Sequence, residues 1–262
     1  MTVAAPVNPA CDPSAEIVEA VTRGRGYLVF QPVVRARAPG LVAFHEGLVR
    51  LRGRDGRIIQ PGEAIPILAT RGLLPALDIL ALDQALRILG VTEMLRISIN
   101  LAPESLGSAA WMDRLRATAR RSPRLLDRLI VEVTETAPID WDAAHDYLDA
   151  VRALGPAVML DDFGAGATSF RYFKDYRFDG LKIDGSFTAG IDSSPDNQCL
   201  LRAMIDIARH FEMLVVAEYV EHRREADCLA ALGVDLLQGH LFGTPADAPR
   251  RLQEPERHLR SA

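Results

Sequence analysis

The chain has 262 residues, of which 48% are hydrophobic and 25% charged, and its formal net charge is −5. This composition excludes a disordered or collagen-like chain, and the acidic balance argues against binding of a DNA or RNA polymer, though not of a small anion in a pocket. The three cysteines, Cys11, Cys199 and Cys228, lack CxxC spacing and predict neither a disulfide framework nor a zinc site.

The apolar runs and the composition of the two termini predict a single domain in the cytoplasm. No apolar run reaches the ~18 residues of a membrane span, and the N-terminal residues lack the basic start and apolar core of a signal peptide. The Pro/Ala-rich residues 1–12 and the polar residues 248–262 are predicted to be flexible tails. No linker-like stretch divides residues 13–247, so we predict a single domain there.

Eight apolar runs predict strands that are buried on both faces. They cover residues 27–34, 41–51, 95–101, 128–133, 157–160, 180–183, 213–217 and 235–242. Helical period is found in most of the intervals, at residues 75–89, 109–121, 141–154, 197–211 and 223–232. This alternation predicts an α/β fold, namely a (β/α)8 barrel, with an open doubly wound sheet as the alternative.

The first two predicted strands are joined by residues 35–40 only, with Pro39 and Gly40 at the expected bend. This link is too short for a helical crossover, so the two strands are predicted to be antiparallel. An ideal barrel of parallel strands would not begin in this way.

Polar and mostly acidic side chains stand at the C-terminal ends of seven predicted strands. They are Glu46, Asn100, Glu132, Asp161 with Asp162, Lys182, Glu218 and Gln238. In a barrel these ends converge on one mouth, where such folds carry their active sites. Each residue alone is also explained as a cap or an ion-pair partner. About five carboxylates in one mouth would repel one another strongly unless cations are bound.

The oxygen-rich set of side chains predicts hard divalent cations, Mg²⁺, Mn²⁺ or Ca²⁺. Adjacent acids such as Asp161 and Asp162 allow one carboxylate to bridge two ions, and ion pairs ~3.5–4 Å apart hydrolyse phosphate esters. The Gly-rich residues 163–169 that follow are interpreted either as an ordinary turn or as a functional loop. His45 is interpreted as structural, because it should point away from Glu46. His240 is interpreted similarly or, because it lies at a strand end near the mouth, as a ligand contact.

Eight motifs in order give the chain a resemblance to the EAL-domain cyclic-di-GMP phosphodiesterases over residues 27–245. The motifs are Phe30-Gln31-Pro32, Glu46-Gly47-Leu48 with Arg50, Ile99-Asn100-Leu101, Glu132-Val133-Thr134-Glu135-Thr136, Asp161-Asp162-Phe163-Gly164-Ala165-Gly166, Leu181-Lys182-Ile183-Asp184, Ala217-Glu218-Tyr219-Val220-Glu221 and Gln238-Gly239-His240-Leu241-Phe242-Gly243-Thr244-Pro245. One such motif is weak, whereas eight in the family's order are specific.

The resemblance implies a modified triosephosphate-isomerase barrel whose first strand is antiparallel to the others. It implies that the protein lowers the level of a second messenger by opening one phosphodiester bond of cyclic-di-GMP to give linear pGpG. The implied cofactors are two divalent cations, Mg²⁺ or Mn²⁺, with Ca²⁺ inhibitory if bound. The resemblance also implies that a second copy of the chain is a partner, in a homodimer formed through the Gly-rich loop.

The resemblance also implies roles for single residues. One metal would be held by Glu46, Asn100, Glu132 and Asp161, and the second by Asp161, Asp162 and Glu218. The remaining roles are for Lys182 to orient or activate water, for Glu135 to brace the Gly-rich loop, for Arg50 to contact a ligand phosphate, and for Gln31 and Gln238 to line the pocket.

Three departures from the family pattern are visible. Gly47 replaces the usual Ala and is expected to loosen its strand, Tyr219 replaces the usual Gly beside Glu218, and the Gly-rich loop is altered after Gly164. These departures support an alternative, a catalytically silent EAL domain that acts as a cyclic-di-GMP sensor or a protein-interaction module. The retention of every assigned ligand and of Lys182 favours the enzyme.

Overall fold

The computed structural model describes residues 13–134, 141–165 and 172–249. One sheet contains nine strands: β1 (Gly26–Arg35), β2 (Ala38–Arg52), β3 (Ile58–Ile59), β4 (Ile97–Leu101), β5 (Leu129–Thr134), β6 (Ala157–Phe163), β7 (Gly180–Ile183), β8 (Leu214–Ala217) and β9 (Leu236–Gln238). Eight of these strands close a barrel in the order β1, β9, β8, β7, β6, β5, β4, β2, because β2 also pairs with β1. The predicted barrel is therefore confirmed, and the open sheet is not formed.

The first strand runs against its neighbours. β1 pairs antiparallel with both β2 and β9, whereas the pairs from β2 and β4 through β8 and β9 are parallel. The predicted antiparallel start is confirmed, but the turn lies at Ala36 and Arg37 rather than at the Pro39-Gly40 pair. Pro39 and Gly40 instead lie inside β2, where the register with β1 is irregular. A proline cannot donate a ladder hydrogen bond, so it is tolerated at such an irregularity.

Helices surround the barrel. They are α1 (Pro13–Thr22), α2 (Pro61–Thr70), α3 (Leu74–Val91), α4 (Ala109–Arg121), α5 (Pro123–Leu126), α6 (Trp141–Ala153), α7 (Tyr172–Asp175), α8 (Gly185–Thr188), α9 (Pro195–His210) and α10 (Arg223–Leu232). The five predicted helices are confirmed within two residues at each end. In the described part of the chain, none of the helices combines the length and the apolar character needed to cross a bilayer.

The sequence did not predict α1, α2 or β3, which form a small second core beside the barrel. Ile17 of α1, Ile59 of β3 and Leu68 of α2 are fully buried together against Leu51 of β2. Because Leu51 lies at the C-terminal end of β2, this lobe stands beside the mouth of the barrel. Ion pairs from Arg57 to Glu16 and to Glu63 join α1 and α2 to the β3 hairpin.

The last strand is shorter than predicted. β9 ends at Gln238, and the next residues turn back, with Phe242 N donating to Gly239 O at 3.0 Å. Gly239 lies so close to the Val220 backbone that a Cβ would stand 2.1 Å from the Val220 oxygen. This close approach diverts the chain and requires glycine. The chain then returns to β1, where Phe30 N donates to Ala246 O at 2.7 Å.

The barrel interior is filled by an apolar layer. Side chains from five strands meet there, namely Val33, Phe44, Met159, Val216 and Leu236, and Ile130 packs against them. The barrel is therefore closed by side chains below its mouth, as is usual for eight strands.

Candidate functional site

The candidate site is the layer of side chains above this apolar layer. Side chains alternate along a strand with a period of two, so the residue two steps toward the mouth also points inward. On β2, β5, β6, β8 and β9 this residue comes two positions later, and on the antiparallel β1 two positions earlier. The resulting polar layer consists of Gln31, Glu46, Glu132, Asp161, Glu218 and Gln238.

Asp162 joins this layer through a distortion of β6. The ladder between β6 and β7 shifts between Leu160 and Phe163, and Asp162 has a φ of +55°. A regular strand would turn Asp162 to the opposite face from Asp161. The bulge instead allows both carboxylates to share the mouth, and the Thr134 hydroxyl donates to Asp162 Oδ2 at 3.2 Å.

Lys182 on β7 is the positive centre of the site and is only 1% exposed. Its Nζ lies 2.8 Å from Glu218 Oε1 and 3.0 Å from both Glu132 Oε2 and Asp161 Oδ1. Glu46 Oε2 is slightly farther, at 3.5 Å. One ammonium thus contacts carboxylates from β2, β5 and β6 and from the residue directly after β8, which accounts for the burial of a lysine.

Amide groups hold Glu46 from two sides. Asn100 Nδ2 donates to Glu46 Oε1 at 3.1 Å, and Gln238 Nε2 donates to Glu46 Oε2. Gln238 Nε2 also lies 3.3 Å from Gln31 Oε1. The buried Gln238 Oε1 has no hydrogen-bond partner within the residues that the structure describes.

Burial and mutual repulsion shift the protonation of the acids. Burial raises the pKa of Glu218 to about 8, with Asp161 and Glu46 adding to the rise while Lys182 opposes it. Burial likewise raises the pKa of Glu132 well above its usual range. Burial alone would lower the pKa of Lys182, but its four carboxylate neighbours outweigh this effect and raise it. Without further cations, the site therefore keeps protons on some of its acids.

The carboxylates form two groups that share Asp161. In one group, oxygens of Glu46, Glu132 and Asp161 lie within 4.8 Å of one another, and in the other those of Asp161, Asp162 and Glu218 do so. Five acidic side chains face one ammonium, so the site has more acidic groups than a single positive charge can balance. Carboxylate oxygens at this spacing suit hard divalent cations, so the residues present fit a two-ion site.

The mouth contains a cavity of about 300 Å³. It is lined by Gln31, Glu46, Leu48, Asp161, Asp162, Lys182, Glu218, Tyr219, Glu221, Gln238, Gly239 and His240. The structure thus brings together most of the predicted site residues. Leu48 and Glu221 also line the cavity, although neither was predicted as a site residue. Leu48 was indicated by its position two residues after Glu46, on the same face of the strand.

Four predicted site residues do not line this cavity. Glu132 is fully buried, with its Oε2 3.0 Å from Lys182 Nζ, and Asn100 contacts Glu46 through its amide. Arg50 follows Glu46 by four residues on β2, but its Nη1 donates to the Val49 carbonyl at 2.9 Å, and it does not line the cavity. Burial lowers the pKa of its guanidinium. Glu135 lies outside the described residues, as do residues 166–171 of the Gly-rich loop. Their predicted roles, and the dimer through that loop, stay predictions.

Two histidines and one glycine near the site complete the comparison with the sequence predictions. His45 is fully buried and packs edge-on against Phe30, so its structural interpretation is confirmed. His240 is exposed and lines the cavity, with its Nδ1 3.6 Å from Glu221 Oε1. Gly47 does not loosen the ladder, because its pairing with Phe30 and Ile99 is regular.

The backbone directly after Glu218 is left-handed. Tyr219 has a φ of +56°, which a glycine adopts without strain. Glu218 is nevertheless held in place, since its backbone nitrogen donates to Ile183 O at 3.2 Å and its backbone oxygen accepts from the Thr188 hydroxyl. Tyr219 has therefore not moved Glu218 away from Lys182.

Comparisons with known proteins agree with this geometry. The family model described as "EAL domain" matches residues 14–245. The cyclic di-GMP phosphodiesterase PdeF of Escherichia coli K12 is 30% identical over 243 residues, which cover 91% of this chain and 32% of PdeF. The bifunctional diguanylate cyclase/cyclic di-GMP phosphodiesterase MucR of Pseudomonas aeruginosa is also 30% identical, with coverages of 90% and 35%. The chain thus spans about a third of the length of these relatives.

Solved structures show the same architecture. The complex of the PaMucR phosphodiesterase with c-di-GMP has a TM-score of 0.79 at 30% identity, covering 90% of this chain and 98% of that one. An EAL domain protein from Listeria monocytogenes has a TM-score of 0.78 at 26% identity, with coverages of 89% and 94%. From its fold, its site and these matches, we conclude that the chain belongs to the EAL domain family.

Proposed function

We propose that this protein is a metal-dependent phosphodiesterase that hydrolyses one phosphodiester bond of cyclic-di-GMP to give linear pGpG. The observation that carries the proposal is the pair of carboxylate groups sharing Asp161 in the cavity at the barrel mouth. Relatives with this activity in their names are about 30% identical to the chain. The substrate is proposed from those relatives, and the reaction type from the site.

Each of the two clusters of carboxylates would bind one divalent cation, Mg²⁺ or Mn²⁺. Glu46, Glu132 and Asp161 would hold the first, and Asp161, Asp162 and Glu218 the second. When bound, such ions neutralise charge on phosphoryl oxygens and lower the pKa of water, so that hydroxide is available as the nucleophile at neutral pH. The Asn100 amide would steady Glu46 through its hydrogen bond and offer its carbonyl oxygen to the first ion.

Lys182 would act as a positioning cation at the centre of the site. Its Nζ lies within 3.5 Å of four carboxylates, so it holds them together before cations bind. With cations bound, the same ammonium would orient the attacking water. Gln31 and Gln238, at the edge of the cavity, would contact the dinucleotide through their amides.

The direct test is hydrolysis by the purified protein. Cyclic-di-GMP is incubated with Mg²⁺ or Mn²⁺, with a chelator as control, and the products are separated by chromatography. We expect metal-dependent pGpG as the product of a single bond cleavage. Absence of pGpG in the presence of either metal ion would contradict the proposed function.

Matched substitutions locate the activity. Glu46→Gln and Asp161→Asn each remove one negative charge from the site with little change of shape, and both should abolish turnover. Glu212→Gln is the control, because Glu212 is exposed on the turn before β8, at the opposite end of the barrel from the mouth. Normal hydrolysis by the Glu46 variant would refute its role.

A second candidate is a silent receptor for the same dinucleotide, favoured by the bulky Tyr219 beside Glu218. The test separates the two, since a receptor binds intact cyclic-di-GMP saturably and forms no pGpG. Glu218 Oε1 stays 2.8 Å from Lys182 despite Tyr219, which supports the enzyme.

A further inference from the structure

Tyr219 combines features that the fold by itself does not explain. It is the largest of the non-glycine residues with positive φ among those described, the others being Asp162 and Glu212. A left-handed backbone is unfavourable for a bulky side chain, and such strain tends to persist at functional sites. The side chain is also 66% exposed, so the fold gains little from burying it.

The Tyr219 side chain packs closely against Gly185, the residue that begins α8. A Cβ on Gly185 would lie 2.7 Å from both Cγ and Cδ2 of Tyr219. Such a distance is not tolerated, so the ring occupies space that exists only because residue 185 has no side chain. The two residues therefore fit each other, and the contact holds one side of the ring.

The rest of the Tyr219 side chain is largely exposed, at the mouth of the cavity. Tyr219 lines that cavity together with the acids of its floor, Glu46, Asp161 and Glu218. The floor is charged and suits phosphates with cations, whereas an exposed aromatic ring suits a flat apolar group. The two flat groups of the proposed substrate are its purine bases.

We propose that Tyr219 is a specificity-determining residue of the dinucleotide site, an aromatic wall on which one purine base stacks while the phosphodiester lies over the acidic floor. This inference rests on the proposed function. Stacking of a base on an aromatic side chain is strong enough that its loss weakens binding on the order of tenfold or more. Gly185 takes part indirectly, by holding the ring at the mouth.

The experiment compares binding and specificity in four variants. Tyr219→Gly removes the ring and suits the backbone, Tyr219→Phe keeps the ring, and Gly185→Ala displaces the ring without removing it. Glu212→Gly is the matched control, because Glu212 also has a positive φ, of +59°, but is exposed on the turn before β8. It reproduces the backbone change far from the mouth.

Two readouts are needed. The first is the Kd for cyclic-di-GMP in Ca²⁺, with chromatography confirming that the dinucleotide stays intact. The second is the ratio of kcat/KM for cyclic-di-GMP to that for bis(p-nitrophenyl) phosphate in Mn²⁺, since the latter is a phosphodiester without purines. We expect Tyr219→Gly and Gly185→Ala to raise the Kd and lower the ratio on the order of tenfold. Tyr219→Phe should recover most of the affinity, and Glu212→Gly should match the wild type.

Equal or tighter binding by Tyr219→Gly would overturn the inference, since the ring would then only obstruct the mouth. An equal loss for both substrates would also overturn it, because the effect would not depend on a base. If the wild-type protein neither binds nor hydrolyses cyclic-di-GMP, the proposed function fails together with the inference. If it does either while the Tyr219 variants are indifferent, only the inference fails.

Discussion

Asp161 and Asp162 are adjacent in the chain, yet their carboxylates belong to one group of oxygens within 4.8 Å of one another. This is possible because β6 bulges and Asp162 takes a left-handed backbone, with a φ of +55°. Aspartate tolerates that conformation better than most residues. One irregularity in a single strand thus completes the second carboxylate group.

Loss of the Asp162 carboxylate should therefore affect one ion only. We expect Asp162→Asn to bind one Mn²⁺ instead of two and to lose turnover on the order of 100-fold or more. Isothermal titration calorimetry gives the stoichiometry, and product chromatography gives the rate. Two ions bound with wild-type affinity would show that Asp162 is not a ligand.

Replacement of Lys182 should destabilise the protein most when metal is absent. Lys182→Met leaves four buried carboxylates without their ammonium, which we expect to cost about 3–5 kcal/mol of unfolding free energy. Mn²⁺ should recover more stability in this variant than in the wild type, because it replaces the missing positive charge. Urea unfolding with and without Mn²⁺ measures both effects.

Lys174 offers the control for this substitution. It is the chain's other lysine and lies exposed on α7. Lys174→Met should change the unfolding free energy by less than about 0.5 kcal/mol. A Lys182 variant as stable as that control in chelator would contradict the central role of the ammonium.

Metal binding should release protons at neutral pH. Burial raises the pKa of Glu218 to about 8 and that of Glu132 well above its usual range, so the metal-free site holds protons at pH 7. Cations bind the ionised acids, so affinity should rise with pH up to about 8. Calorimetry in buffers of different ionisation enthalpy counts the protons, and a binding enthalpy independent of buffer would contradict this prediction.

Asp78 on α3 should make stability depend on pH below neutrality. Its Oδ2 accepts from Ala102 N at 2.8 Å and from the Ser105 hydroxyl at 2.6 Å, while burial raises its pKa from 3.8 to about 6. The folded state therefore holds a proton that the unfolded state has lost. Stability should fall as pH rises from about 4 to about 6, by about 3 kcal/mol in total.

Asp78→Asn isolates this contribution. The amide oxygen can accept the same two hydrogen bonds, and it does not titrate, so the fall between pH 4 and 6 attributable to this residue should disappear. Urea unfolding of wild type and variant over this range measures the difference. Identical pH profiles would show that Asp78 does not titrate as its burial implies.

The sequence alone determined the barrel and most of its polar layer. Apolar runs alternating with helical segments predicted the barrel, and the short link after residue 34 predicted the antiparallel start. The acids at the strand ends predicted the mouth, because parallel strands bring equivalent ends together and a period of two keeps alternate side chains inside. The N-terminal lobe was missed, because α1, α2 and β3 are stabilised by packing against one another rather than by strong local patterns.

The tertiary structure alone decided how these residues act as a site. Nothing in the order of residues shows that Lys182 touches four carboxylates from separate parts of the barrel, since those contacts join positions far apart in the chain. The bulge that turns Asp162 inward depends on the register with β7, and the fit of Tyr219 over Gly185 depends on the packing of the residues after β8 against the start of α8. Sequence periodicity fixes which face a side chain takes in a regular strand, whereas bulges and loop contacts are set by the closure of the barrel.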